Sequence, residues 1–184
     1  MNEYEIDFNG YKIFILNDHI ISSKYIGEDV NGKPLFDTIR TEIGEKLYQL
    51  KYQSNEQVLD YIVNEILNFL SRNNLMNINY VIPAPYTKKR KIQPVICISK
   101  LLAKKLNCNY VEVLTKTSLS QAKDKVNVFN DDIKCLCNNL SGNILLIDDL
   151  YSTGNTIKNC IDKLVNNNIN IKNLYTICIT KTKE

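Results

Sequence analysis

The most informative segment of this chain reads Asn143-Ile-Leu-Leu-Ile-Asp-Asp-Leu-Tyr-Ser-Thr-Gly-Asn-Thr156. Residues 144–147 are apolar at every position, which is typical of a central parallel strand buried on both faces. We expect this strand to stop at Asp148 and a helix to begin near Asn155. The first backbone N–H groups of a helix have no partner within it and carry partial positive charge, so the intervening turn favours an anion.

The turn also supplies side chains suited to phosphate. Ser152, Thr153 and Thr156 carry hydroxyl donors, and Gly154 allows a ligand to approach the backbone or the chain to adopt a positive φ angle. Two adjacent carboxylates repel phosphate, so their natural partners are the hydroxyl groups of a sugar. The predicted catalytic residues are Asp148 and Asp149, and the predicted phosphate-binding residues are Tyr151, Ser152, Thr153, Gly154, Asn155 and Thr156.

Each feature taken alone is common in α/β proteins, where acidic residues end strands and Ser or Thr caps helices. Their combination resembles the phosphoribosyl-diphosphate signature of type I phosphoribosyltransferases, in which apolar and then two acidic residues precede small and hydroxyl residues around a glycine. The resemblance implies that phosphoribosyl diphosphate binds with Mg²⁺, which bridges its diphosphate and ribose hydroxyls near Asp148 and Asp149. It also implies that a nucleophile displaces pyrophosphate at the anomeric carbon.

Three further segments make the chain resemble the ComF-like phosphoribosyltransferase group, which is associated with competence and DNA uptake. They are Gly44-Glu-Lys-Leu-Tyr-Gln-Leu-Lys-Tyr52, Pro83-Ala-Pro-Tyr-Thr-Lys-Lys-Arg-Lys-Ile-Gln-Pro94 and Thr115-Lys-Thr-Ser-Leu-Ser-Gln-Ala-Lys-Asp124. Two features differ from the group. Many members carry an amino-terminal zinc ribbon, whereas no cysteine precedes Cys97 here. Many also have Arg-Gly-Phe-Asn-Gln where this chain has Arg90-Lys-Ile-Gln-Pro94.

Basic residues in two of these segments are candidate contacts for a diphosphate. The cluster 88–91 follows the carboxyl end of a predicted strand, the side of an open α/β sheet where ligands bind. A solvated basic loop is the alternative interpretation. With the backbone contacts that the resemblance implies, the predicted pyrophosphate-binding residues are Tyr86, Thr87, Lys88, Lys89 and Arg90. Lys116 and Lys123 are the predicted residues of a mobile lid that excludes water, and an ordinary flexible loop is the alternative there.

No motif identifies the acceptor of the phosphoribosyl group. Purine phosphoribosyltransferases often place an aspartate in the turn as a base, and Ser152 occupies the corresponding position here. His19, the only histidine, precedes the core and is expected to be structural or exposed. Two hypotheses stay open: a phosphoribosyltransferase with an unidentified acceptor, and a non-catalytic phosphoribosyl-diphosphate sensor or adaptor associated with single-stranded DNA. No aromatic residues interleaved with basic ones are evident in the sequence to favour the adaptor.

Hydrophobic periodicity predicts the elements before the core. A β-hairpin is expected around Asn9-Gly10, with strands at Tyr4–Phe8 and Tyr11–Leu16. A first helix is expected from the spacing of five apolar residues, and a capping box of Ser54 with Gln57 is expected to start a second helix. The five apolar residues are Phe36, Ile39, Ile43, Leu47 and Leu50.

Strands then alternate with helices along the chain. Strands are predicted at Tyr80–Ile82, Tyr110–Leu114 and Leu174–Thr180, and the segment Thr115–Asn139 is polar and poorly patterned. This alternation predicts an α/β fold with a parallel-sheet core flanked by helices. The resemblance implies that this fold is the type I phosphoribosyltransferase fold. We expect one domain over 1–184, in which 1–35 form a hairpin and hood extension and 36–184 form a helical lead-in and the core.

Composition narrows the setting of the protein. The chain is 44% hydrophobic and 23% charged with a net charge of +3, as in ordinary globular proteins. No apolar run approaches bilayer length, and six cysteines without paired spacing fit a reducing compartment, so we expect a cytoplasmic protein without membrane contact. A homodimer is expected. Cys135 and Cys137 form a zinc site only if Cys108 or Cys160 lies nearby.

Overall fold

A six-stranded sheet forms the centre of the computed structural model, which describes residues 2–86, 90–116, 133–167 and 170–182. In chain order the elements are β1 (Tyr4–Phe8), β2 (Tyr11–Asp18), β3 (Ile20–Glu28), β4 (Pro34–Arg40), α1 (Glu42–Tyr52), α2 (Leu59–Arg72), β5 (Tyr80–Pro83), α3 (Pro94–Leu106), β6 (Asn109–Tyr110), β7 (Leu114–Lys116), β8 (Ile133–Cys135), β9 (Ser141–Tyr151), α4 (Asn155–Asn166) and β10 (Asn170–Lys181). The sheet order is β1-β2-β10-β9-β5-β6, and only the β1–β2 pair is antiparallel. The predicted α/β class is confirmed.

The order of the strands reverses between β5 and β9. From β5 the chain passes through α3 to β6 on one side, whereas β9 lies on the other side of β5 and leads through α4 to β10. Open α/β sheets bind ligands in the crevice that such a reversal leaves beyond the carboxyl ends of the strands. The topology therefore directs attention to the loops that follow β5 and β9.

Helices cover both faces of the sheet because alternate residues of a strand point to opposite sides. Leu145 and Ile147 belong to the hydrophobic cluster formed with α1, α2 and α3, whereas Ile144 and Leu146 belong to the cluster formed with α4. All four side chains are fully buried. Full burial of one large aliphatic side chain contributes about 1.5–3 kcal/mol. The uninterrupted apolar run of β9 therefore anchors two hydrophobic layers at once.

The predicted amino-terminal hairpin is confirmed, and it extends the core sheet. β1 and β2 join at Asn9 and Gly10, whose φ angles of 53° and 82° are both positive, as a type I′ turn requires. β2 then lies parallel to β10, with Ile13 opposite Thr176. The first hairpin is thus part of the core and not part of a separate hood.

A second hairpin, β3–β4, replaces the start of the predicted first helix. Phe36 and Ile39 lie on β4 and are each 54% exposed, so the helical spacing of these residues was misleading. α1 begins only at Glu42, because the Thr41 side chain accepts a hydrogen bond from the Gly44 N–H at 3.1 Å and so caps the helix. The β3–β4 ribbon spans 20–40 and so crosses residue 35, where the extension was predicted to end.

Two other local predictions need correction. Ser54 does not cap the second helix, because it adopts a positive φ of 53° and the Asn55 side chain instead accepts from the Gln57 N–H at 3.1 Å. A 3-10 turn at Glu56–Val58 precedes α2. The strand predicted at Tyr110–Leu114 is split between β6 in the sheet and β7, which pairs with β8.

Two further expectations concern membranes and metals. Within the four described ranges, no helix has both the length and the apolar character that a bilayer crossing requires. The same ranges contain no group of three or more His, Cys, Asp or Glu side chains in a metal-binding arrangement. Cys108 packs on the α2–α3 side of the sheet, whereas Cys135, Cys137 and Cys160 lie on the α4 side.

Candidate functional site

The candidate site lies at the carboxyl ends of β5 and β9, where the strand order reverses. Two cavities meet there and share Asp148, Leu150 and Thr156. The larger, of about 220 Å³, is bounded by β9, the loop after β5 and the end of α1. The smaller, of about 60 Å³, is formed by the turn between β9 and α4. The end of β9 thus separates two adjoining compartments.

The turn after β9 is shorter than predicted, because the strand does not stop at Asp148. Leu150 and Tyr151 still pair with β10, and the Tyr151 carbonyl accepts a backbone hydrogen bond from Thr182 at 3.0 Å. The turn proper is therefore only 152–154. Because the residues before and after Asp148 and Asp149 pair with β10, the backbone of the two acidic residues is held more firmly than it would be in a loop.

The start of α4 forms the smaller cavity. α4 begins at Asn155, as predicted, and the preceding Gly154 adopts a φ of 77° with its backbone packed against the Tyr151 ring. The cavity beside this helix start is lined by the hydroxyl residues of the turn. First-turn N–H groups lack acceptors within the helix, so the cavity suits a phosphate group.

The two acidic residues face different surroundings because neighbouring strand residues point to opposite faces. Oδ2 of Asp149 accepts from Lys51 Nζ at 2.8 Å on the α1 side. Asp148 accepts the Asp149 backbone N–H on Oδ1 at 2.8 Å. Burial, followed by the negative charge of Asp149, raises the pKa of Asp148 to about 7, although Lys51 and Lys116 act in the opposite direction. One carboxylate is thus ion-paired, while the other is partly protonated near neutral pH.

Lys51 is the site residue that motif matching missed. It lines the larger cavity, and its side chain is only 21% exposed. A sequence signal did exist, because Ile43, Leu47 and Leu50 mark the buried face of α1 and position 51 continues that face at helical spacing. A lysine on an apolar helix face requires an acidic partner, and the partner is Asp149.

A network at the start of α1 holds this helix against the sheet. Thr41 Oγ1 donates to the Asp18 carbonyl at 2.6 Å, and a Cβ at Gly44 would overlap the His19 carbonyl, so only glycine permits this approach. Thr180 Oγ1 lies 3.2 Å from His19 Nδ1 and donates to the Asp149 carbonyl at 3.2 Å. Burial, then Arg40 and Lys51, lowers the pKa of His19. His19 thus lies within the network that joins the start of α1 to β10.

The loop after β5 provides the opposite wall of the larger cavity. Tyr86 and Arg90 both line it, whereas Thr87, Lys88 and Lys89 lie outside the described residues. The Arg90 guanidinium carbon is 5.7 Å from the centre of the Tyr52 ring, within range of a cation–π interaction. Lys51 and Tyr52 at the end of α1 thus contact β9 and the β5 loop respectively.

The predicted lid can be placed only in part. Lys116 ends β7 and lines a neighbouring cavity of about 310 Å³, together with Tyr86 and Glu112. Its charge acts on Asp148. Lys123 lies outside the described residues.

Two solved structures of adenine phosphoribosyltransferases are similar to this architecture. The Leishmania tarentolae protein aligns with a TM-score of 0.51 and 10% identity, over 98% of this chain and 94% of that chain. The Rhodothermus marinus protein aligns with a TM-score of 0.50 and 11% identity, over 88% and 94%. The chain has the type I phosphoribosyltransferase fold. No protein-family model matches the chain, and no curated protein matches its sequence, so the ComF-like resemblance stays a prediction.

Within this type I phosphoribosyltransferase fold, most of the predicted site residues come together. All six predicted phosphate-binding residues line the smaller cavity. The larger cavity brings together both predicted catalytic residues, the unpredicted Lys51, and Tyr86 and Arg90, which are the two described residues among those predicted to bind pyrophosphate. The roles assigned to these residues stay predictions.

Gly154→Ala is expected to destabilise the protein by about 2 kcal/mol more than Gly32→Ala. Both glycines have a φ above 70° and so impose similar backbone strain. A Cβ at Gly154 would lie 2.7 Å from Cζ of Tyr151, whereas at Gly32 it would meet only Glu28 Oε2 at 3.9 Å. Urea denaturation of both variants measures the difference. Equal losses would show that packing against Tyr151 does not constrain the turn.

Proposed function

We propose that the protein binds phosphoribosyl diphosphate with Mg²⁺ and transfers the phosphoribosyl group to an acceptor, releasing pyrophosphate. The observation that supports this is the acidic pair between two compartments suited to anions. The smaller compartment lies at the start of α4, and the larger contains Lys51 and Arg90. A matching ligand has hydroxyl groups at its centre and anionic groups at both ends, which describes phosphoribosyl diphosphate.

The proposal assigns each part of the ligand to one region. The 5-phosphate would bind in the turn 152–154 at the start of α4, because N–H and hydroxyl donors surround that cavity. The ribose hydroxyls would donate to Asp148 and Asp149, and the diphosphate would extend toward Arg90. Charge-assisted hydrogen bonds of this kind are about twice as strong as neutral ones.

The donor groups of the site fit Mg²⁺ as a partner of the ligand. Mg²⁺ prefers oxygen ligands and is usually held by one or two carboxylates, with phosphate oxygens and water completing the octahedron. Asp148 and Asp149 supply two carboxylates at the larger cavity, and the ion pair with Lys51 uses Oδ2 of Asp149. When bound, Mg²⁺ would neutralise charge on the diphosphate as it departs.

The proposed transfer depends on orientation and electrostatics and requires no protein nucleophile. Asp149 would fix the ribose through its hydroxyl groups, while Asp148, with its raised pKa, can either donate or accept a hydrogen bond near neutral pH. Arg90 would stabilise the negative charge that develops on the leaving diphosphate. The acceptor attacks the anomeric carbon as the bond to the diphosphate breaks, and pyrophosphate leaves with that electron pair.

Pyrophosphate release tests the proposal directly. Phosphoribosyl diphosphate and Mg²⁺ are incubated with the protein and with nucleobases or other nitrogen nucleophiles in turn, and pyrophosphate is measured for each. Release that requires both an acceptor and the protein is expected. Tight calorimetric binding without release for any acceptor would contradict the transferase and support a sensor.

The adaptor alternative is favoured by one surface that sequence reasoning overlooked. Arg40 lies over the Tyr48 ring at 3.8 Å, Tyr48 packs against Tyr52 at 5.0 Å, and Arg90 lies 5.7 Å from the Tyr52 ring. Aromatic rings alternating with cations are typical of surfaces that stack single-stranded nucleic acid. The row combines residues of β4, α1 and the loop after β5, so no single stretch of the sequence displays it.

Tyr52→Ala is expected to weaken binding of a single-stranded oligonucleotide by roughly tenfold, because Tyr52 is the exposed ring of this row. Fluorescence anisotropy at several salt concentrations measures the affinity. The control Tyr25→Ala removes an exposed tyrosine of the β3–β4 ribbon. Equal affinities of both variants would contradict the adaptor.

The expected homodimer and cytoplasmic location stay predictions.

A further inference from the structure

Lys51 forms a different kind of ion pair from those on the surface of the protein. Its side chain and that of Asp149 are 21% and 18% exposed, whereas the Lys12–Glu5 pair is 59% and 52% exposed. Partly buried pairs are screened by salt much less than exposed ones. Salt therefore weakens the Lys51–Asp149 pair less than the exposed pair, and this pair places the Lys51 ammonium at the wall of the larger cavity.

The Lys51 ammonium can contact more than the carboxylate that holds it. An ammonium group has three donors, and the structure shows one of them at 2.8 Å from Asp149 Oδ2. The same residue lines the cavity whose other wall contains Arg90. The smaller cavity at the start of α4 does not include Lys51. The two ends of the site therefore differ, because one presents a helix start and the other presents two cationic side chains.

Helix α1 fixes the spacing between these two cations. Lys51 reaches β9 through Asp149, and the next residue, Tyr52, carries Arg90 over its ring. Thr41 and Gly44 hold the start of the same helix against the sheet. The end of α1 therefore contacts both walls of the cavity.

We propose that Lys51 is a further binding residue for the diphosphate, holding Asp149 in the ligand-free protein and donating to the diphosphate opposite Arg90 in the complex. The proposal rests on the proposed function, since it assigns one part of the same ligand. If Lys51 only neutralised Asp149, its removal would change the affinity of every ligand that binds the acidic pair. If Lys51 contacts the diphosphate, its removal changes the affinity only of ligands that carry a diphosphate.

The test compares phosphoribosyl diphosphate with ribose 5-phosphate by calorimetry at a fixed Mg²⁺ concentration. The two ligands share the 5-phosphate and the neighbouring ribose hydroxyls and differ in the diphosphate, so the ratio of their affinities measures the contribution of the diphosphate. Lys51→Met is expected to lower this ratio by roughly 10- to 100-fold. Lys51→Arg, which keeps the charge, is expected to retain most of it.

The matched control is Lys46→Met, which removes the same charge from the same helix at a residue that lies over Tyr61, outside the lining of the cavity. Its ratio is expected to equal that of the wild type. Lys51→Met is also made in the Asp149→Asn background, where it is again expected to lower the ratio of the two affinities. Thermal unfolding confirms that each variant is folded.

Two results with the variants would overturn the assignment of Lys51. One is an unchanged affinity ratio in Lys51→Met. The other is a ratio that Lys51→Met lowers in the wild-type background but not in the Asp149→Asn background, which would mean that Lys51 only neutralises the charge of Asp149. A wild type that binds both sugar phosphates equally would also exclude a diphosphate contact. If the wild type binds neither ligand, the proposed function itself fails, and this outcome is distinct from the others.

Discussion

Replacing Asp148 and Asp149 together by Asn is expected to weaken phosphoribosyl-diphosphate binding by at least about a hundredfold. Each hydrogen bond between a sugar hydroxyl and a carboxylate contributes roughly 1.5–3 kcal/mol, and a tenfold change in affinity corresponds to about 1.4 kcal/mol. The sign of the effect is informative. The ligand is an anion, so removing two negative charges would strengthen its binding if the carboxylates acted only through repulsion. A loss of affinity requires direct hydrogen bonds to the ligand or coordination of its metal ion.

The control for this experiment removes two negative charges elsewhere. Asp37 is exposed on β4, and Asp60 has a side chain that is 73% exposed beside Lys105. The variant with Asn at both positions has the same net charge as the site variant and is expected to bind the ligand as the wild type does. Calorimetry with Mg²⁺ measures both affinities. Equal affinity of the site variant and the wild type would exclude the proposed ribose contacts.

The central segment could be predicted because its signals are local. An apolar run between a loop and two acidic residues specifies a buried strand whatever the rest of the chain does. The turn and the start of α4 follow from glycine and hydroxyl residues. The end of β9 was misplaced by three residues, since pairing of Leu150 and Tyr151 with β10 is a tertiary contact.

The β3–β4 ribbon and Lys51 could not be predicted in the same way. Phe36 and Ile39 have helical spacing, but both are exposed on β4, so their spacing does not mark a buried face. β3 has irregular register near Ile21 and Ile26, and such bulges disturb the alternation by which strands are recognised. Lys51 is 98 residues from Asp149 along the chain. Nothing local marks that distant partner, apart from the position of a lysine on the buried face of α1.

The ligand-free protein is expected to lose stability as the pH rises from about 4 to about 7, because of Asp148. Burial and the charge of Asp149 raise the pKa of Asp148 from 3.8 to about 7 in the folded state. Between these values the unfolded chain releases its proton while the folded protein keeps it, so ionisation favours unfolding. Below the pKa of the unfolded state, Asp148 is protonated in both states and does not lower the free energy of unfolding. Above the pKa of the folded state, the full loss of stability is present. One pKa unit corresponds to about 1.4 kcal/mol, so the total is as much as about 4 kcal/mol.

Asp148→Asn isolates this contribution, because the amide is neutral at every pH and has nearly the same shape as the protonated acid. The free energy of unfolding is measured with urea, without Mg²⁺ or ligand, at several values between pH 4 and pH 8. The variant is expected to match the wild type near pH 4 and to be more stable at pH 8, whereas Asp37→Asn, at an exposed position, is expected to follow the wild type throughout. A variant that is no more stable than the wild type at pH 8 would mean that Asp148 is ionised without cost. The acidic pair would then carry two permanent charges, which Lys51 and Lys116 would stabilise together.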